Sequence, residues 1–103
     1  MGADYELKYA QGYPPLLNDT DMAQVLARCA AKVVGEDNVI EPESTMGGED
    51  MAYYLEKSKG CYFFLGVARA DCAPIHNSRF DFNEDVLLHG VETYCRVAMD
   101  LLG

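Results

Sequence analysis

Two loops of this chain hold residue types that could do chemistry. His76 lies in the run Ala73-Pro74-Ile75-His76-Asn77-Ser78. A neutral imidazole in a polar loop can bind a metal or move a proton, and loops on a rigid scaffold carry much catalytic work. Taken alone, His76 reads better as a solvated loop histidine. Cys72 stands four residues ahead of it. A Cys–His zinc pair is conceivable, but a catalytic zinc takes about three protein ligands and a structural one about four. No second pair completes it.

The other loop is Ser44-Thr45-Met46-Gly47-Gly48-Glu49-Asp50. Backbone N–H groups at Gly47-Gly48 could approach an anion or a developing oxyanion; a tight turn explains the same glycines. Glu49 and Asp50 could be an acid/base pair. They also suit a helix N-terminus, where the dipole favours negative charge. His89 falls within the last helix and reads as surface or packing. Cys29 and Cys95 lie on apolar helical faces and Cys61 opens an apolar run, so all three read as core.

Alternating strands and helices are needed to position these loops. Tyr5, Leu7 and Tyr9 alternate with Glu6 and Lys8, the period of a half-buried strand. Gly12-Tyr13-Pro14-Pro15 then interrupts regular structure. Asn18, Asp19 and Thr20 offer caps for a helix whose apolar face is Met22, Val25, Leu26, Cys29, Ala30 and Val33, closed by Gly35. Val39-Ile40 reads as a short strand. Met51, Tyr54 and Leu55 predict a short helix ending near Ser58-Lys59-Gly60. The apolar run Cys61–Val67 predicts a strand buried on both faces. After a loop over 68–82, Asn83 is placed to cap a last helix with Glu84 and Asp85 in its first turn. Leu87, Val91, Tyr94, Ala98 and Leu101 would be its buried stripe. The order β-α-β-α-β-α predicts a layered α/β fold.

The 103 residues amount to one domain at most. A net charge of −9 with only eight Lys and Arg argues against nucleic acid and against a basic membrane face. The four cysteines have no C-x-x-C spacing and no secretory signal pattern accompanies them. That combination suits reduced thiols and a cytoplasmic location.

Four blocks in order carry a family resemblance. They are Gly12-Tyr13-Pro14-Pro15-Leu16-Leu17-Asn18-Asp19, Met46-Gly47-Gly48-Glu49-Asp50-Met51-Ala52-Tyr53-Tyr54, Phe63-Phe64-Leu65-Gly66, and His76-Asn77-Ser78-Arg79-Phe80-Asp81-Phe82-Asn83-Glu84-Asp85. From about Tyr5 onward the chain resembles the C-terminal third of the metallopeptidase-related amidohydrolases. That group includes hippurate hydrolase, N-acyl-amino-acid amidohydrolases and the plant hydrolases of indole-acetyl amino acids.

The resemblance implies a layered α/β metallohydrolase domain with an inserted lid domain that mediates dimerisation. Residues 1–12 would then hold the last lid strand, 13–19 the crossover, and 20–103 the C-terminal part of the catalytic domain. His76 would be a metal ligand, for zinc or manganese, and Gly47, Gly48 and Glu49 would line the substrate site. In the family, a metal-bound water attacks the amide of an N-acyl amino acid and a glutamate carries its proton. The other metal ligands and that glutamate belong to upstream motifs that do not occur here. The expectation is therefore an inactive piece missing an N-terminal part, with open sheet edges that favour a homodimer or strand-exchanged oligomer. Two other readings stay open. One is a small acidic α/β interaction module; the other is a small zinc domain built on Cys72 and His76.

Overall fold

Asp19 starts the first helix. Its backbone is extended and its carboxylate accepts the Met22 N–H at 3.0 Å, satisfying one of the donors a helix start leaves open. Helix α1 runs Thr20–Val34 and ends at Gly35, whose φ of 87° lies in a region that favours glycine. A 3-10 turn, Glu36–Asn38, follows. Helix α2 is Met51–Leu55. A second 3-10 turn, Glu84–Val86, leads into helix α3, Leu87–Leu102. These elements come from a computed structural model describing residues 1–103.

The expected face of α1 is the inward one: Cys29 is buried and Met22, Val25, Leu26, Ala30 and Val33 are half-buried. Helix α1 packs on α3, with an exposed ion pair, Arg28–Asp100 at 3.6 Å, between them. Helix α3 differs from expectation in two respects. Asn83 caps the 3-10 turn, accepting the Asp85 N–H at 3.1 Å, so α3 proper begins at Leu87. Its inward residues are Gly90, Thr93 and Val97, whereas Leu87, Val91, Tyr94, Ala98 and Leu101 are largely exposed. The inward positions are small enough for close approach: a Cβ on Gly90 would sit 3.1 Å from Leu65 Cδ2. Thr93 is satisfied by donating to the His89 carbonyl at 2.7 Å. Cys95, expected in the core, is exposed, and Cys61 is half-buried.

None of the three expected strands forms. The one bridge is a parallel pairing of Ala73 with Phe80. Every residue from 1 to 12 is exposed, including Tyr5, Leu7 and Tyr9. In the 61–67 run the burial pattern is still that of a strand. Phe63, Leu65 and Val67 are half-buried, while Phe64 and Gly66 face out. One face is covered, with Phe63 against Tyr94 at 5.5 Å between ring centroids, and the other is open. A strand is defined by ladder bonds to a neighbour, and these 103 residues supply no second strand beside it. The layered α/β expectation thus meets helices without their sheet.

The dimensions agree. The radius of gyration is 18.5 Å, against about 13 Å for a compact domain of 100 residues. Only Cys29, Ala52, Gly90 and Thr93 are buried, so no closed core exists.

Candidate functional site

The Gly47–Glu49 loop is tied down at its acidic end. Glu49 Oε1 accepts the Met51 N–H at 3.2 Å, which caps the start of α2; Asp50 makes no side-chain cap. Glu49 Oε2 accepts the Tyr62 hydroxyl at 3.0 Å. These donors favour the ionised form. The Met51 N–H is the largest cause, followed by the Asp50 side chain and the Tyr62 hydroxyl, and together they hold Glu49 below its ordinary value. The same bond raises the Tyr62 phenol. A carboxylate held ionised in this way suits orienting a neighbour better than shuttling a proton at neutral pH. The N–H groups of Gly47 and Gly48 donate to no group in the chain, and both residues are exposed.

The segment 13–19 grips this loop from the other side. A Cβ on Gly48 would meet Tyr13 Cδ2 at 2.9 Å, so only a glycine lets the ring lie on the loop backbone. Tyr13 also sits edge-on to Tyr53, with centroids 5.8 Å apart. Asn18 accepts the Tyr62 N–H at 2.7 Å and donates to the Tyr62 carbonyl at 3.0 Å. Next to it, the Asp19 N–H donates to the Gly60 carbonyl at 3.0 Å. Asn18 and Tyr62 were not singled out from the sequence for these roles. Asn18 reads there as a helix cap, a place Asp19 takes, and Tyr62 reads as one more aromatic of a strand.

His76 occupies a separate loop. It is exposed and has φ 63°, the single non-glycine residue at positive φ. The loop is closed beneath it by the Ala73–Phe80 bridge, by Phe80 N–H to the Asn77 carbonyl at 2.9 Å, and by Arg79 N–H to Asn77 Oδ1 at 2.8 Å. Arg69 spans its two stems, reaching Asp71 at 3.2 Å and Asp81 at 3.3 Å. Hydrogen bonding and charge from Arg69 help hold the Asp71 carboxyl below its usual range, after the backbone N–H of Asp71 itself. No hydrogen bond joins this loop to Gly47–Glu49.

Nowhere do three His, Cys, Asp or Glu side chains gather as a metal site would need. The Cys72 thiol lies 3.8 Å from Asp71 Oδ1, and Cys72 with His76 does not make a zinc centre within this chain. A divalent ion at His76 needs donors from outside these residues. Two of the chain's nine open hollows stand out. One, of about 420 Å³, includes Asn18, Leu55 and Lys59; the other, of about 500 Å³, includes Cys29, Glu92 and Cys95. Neither is lined by His76 or Gly47-Gly48.

The description "Peptidase family M20/M25/M40" matches residues 3–100. The chain belongs to this family. Among curated M20/M25/M40-like relatives, a Bacillus subtilis (strain 168) protein carrying an amidohydrolase name, YhaA, is 38% identical over 101 residues, covering 95% of this chain and 26% of its own length. Thermostable carboxypeptidase 1 of Saccharolobus solfataricus is 31% identical over 102 residues, covering 95% and 25%. A much longer Rhodococcus jostii (strain RHA1) protein carries a glutamate–cysteine ligase name. It is 40% identical over 91 residues, covering 86% of this chain but 12% of its own. The chain thus spans about a quarter of the length of the amidohydrolase- and carboxypeptidase-named relatives. No solved structure matches it. No helix is long and apolar enough to cross a membrane.

Proposed function

We propose that this chain is a C-terminal section of a metal-dependent amidohydrolase that cleaves the amide bond of N-acyl amino acids or small peptides. The observation that carries the reading is the family match over residues 3–100, joined to relatives named for amidohydrolase and carboxypeptidase activity. In the complete protein the run 61–67 takes its place in a layered α/β sheet, and residues 1–12 form the last strand of a lid. His76 supplies one ligand to a zinc or manganese ion whose other ligands lie elsewhere. Its left-handed backbone supports this: strained non-glycine conformations cost of order 1–3 kcal/mol and concentrate at functional sites. The Gly47 and Gly48 N–H groups, free and exposed, hold the substrate's carboxylate or acyl oxygen, with Glu49 fixing the loop.

Fragment complementation tests the reading. The chain is mixed with a piece of the Bacillus subtilis relative that lacks its matching quarter, with zinc or manganese added. Hippurate or acetyl-amino-acid hydrolysis is expected in the mixture, not from either part alone, and not with His76→Ala. Turnover by the chain alone, or full activity of the His76→Ala mixture, refutes the assignment.

A further inference from the structure

We propose that Tyr62 is a positioning residue for the Gly47–Glu49 loop, held by Asn18 of the segment 13–19 and acting through the Glu49 carboxylate. This inference rests on the reading of that loop as part of the substrate site.

The chain of contacts is continuous. Asn18 grips the Tyr62 backbone at both N–H and carbonyl, 2.7 and 3.0 Å. The Tyr62 hydroxyl reaches Glu49 Oε2 at 3.0 Å. The other carboxylate oxygen, Oε1, takes the Met51 N–H at 3.2 Å. One carboxylate therefore joins the 61–67 run to the start of α2 and fixes the residue directly after Gly47-Gly48. Tyr13, five residues before Asn18 in the same segment, lies against Gly48 itself. The segment thus touches the glycine loop at Gly48 and, through Asn18 and Tyr62, at Glu49. A shift of the segment is carried to the direction in which the Gly47 and Gly48 N–H groups point.

A charged acceptor makes the Tyr62–Glu49 bond stronger than a neutral one, and its loss should be measurable on the chain itself. Amide hydrogen exchange is followed by NMR in wild type, Tyr62→Phe and Glu49→Gln. The two variants should exchange roughly five- to tenfold faster at Met51, Ala52 and Tyr53, with α1 and α3 unchanged. The wild-type Tyr62 ring resonances should also show an inflection in the acid range, where only Glu49 of the pair titrates, and Glu49→Gln should abolish it. A tyrosine that merely packs gives no such inflection. Unchanged exchange in Tyr62→Phe, or an absent acid inflection, overturns the proposal. In the complemented enzyme Tyr62→Phe should raise KM for hippurate more than it lowers kcat. If every mixture is inactive, the substrate reading fails, while the exchange and titration data still decide whether Tyr62 positions the loop.

Discussion

Asn18 and Tyr62 face each other across 44 residues of chain and share two hydrogen bonds, of 2.7 and 3.0 Å. A single side chain thereby plays the part of a neighbouring strand, pairing with the N–H and the carbonyl of one residue. Removing it should cost about 1 kcal/mol, since the freed groups can turn to water. Urea denaturation of Asn18→Ala, followed by circular dichroism, checks this. A change indistinguishable from zero means that the clamp holds nothing.

The helix cap beside it gives an independent reference. Asp19→Ala removes the acceptor of the Met22 N–H and should lower stability by about 1 kcal/mol. Asp19→Asn should recover most of the loss, because asparagine caps nearly as well. If Asn fails to rescue, charge at the helix start matters more than the hydrogen bond.

The Tyr62–Glu49 bond sets a pH window. Glu49 titrates below its ordinary 4.5 in the folded chain. Its contribution is therefore present above 4.5 and is lost as pH falls through the depressed value. Tyr62 titrates above its ordinary 10.0, so its contribution is full below 10.0 and is lost as pH rises through the raised value. Stability should fall at both ends; Tyr62→Phe should remove the alkaline limb and only lessen the acid one, because the Met51 N–H still favours the ionised Glu49. An alkaline limb unchanged in Tyr62→Phe contradicts the raised Tyr62 phenol.

His76 should show opposite effects on stability and on function. His76→Gly relieves a positive φ at a cost in unfolded-chain entropy, so stability should stay within about 0.5 kcal/mol or rise by up to about 1 kcal/mol. The same substitution should abolish complementation with the relative's piece. A large loss of stability would mean that the imidazole is structural.

The open faces should find partners. Leu87, Val91, Tyr94 and Leu101 on α3, and Phe64 on the outer face of the adjoining run, are 47–68% exposed, and uncovered apolar faces beside an unpaired strand-like run invite association. Sizing experiments at rising concentration should show a dimer or larger species. A monomer at the highest concentration counts against this.

The sequence made α1 legible to its ends because its signals are local. Asp19 caps three residues ahead, Gly35 closes with a positive φ, and the 3.6-residue period marks one face. What was not legible depends on something outside the element. The apolar positions of α3 show which residues suit burial but not what would cover them, and here the small face of Gly90 and Thr93 turns inward instead. The run Cys61–Val67 has a strand's composition but no neighbour with which to form a ladder. His76 could be named from its motif but not its strained backbone, and Asn18 could be seen as polar but not as the partner of a residue 44 positions away.

Every one of the first twelve residues lies exposed, with Tyr5, Leu7 and Tyr9 at 80–88%. Such a segment is easily gripped and cut by proteases, and uncovered apolar side chains attract chaperones. Abundance in a cell would then follow how quickly this arm is covered, so the lifetime of the polypeptide would be a measure of completed assembly.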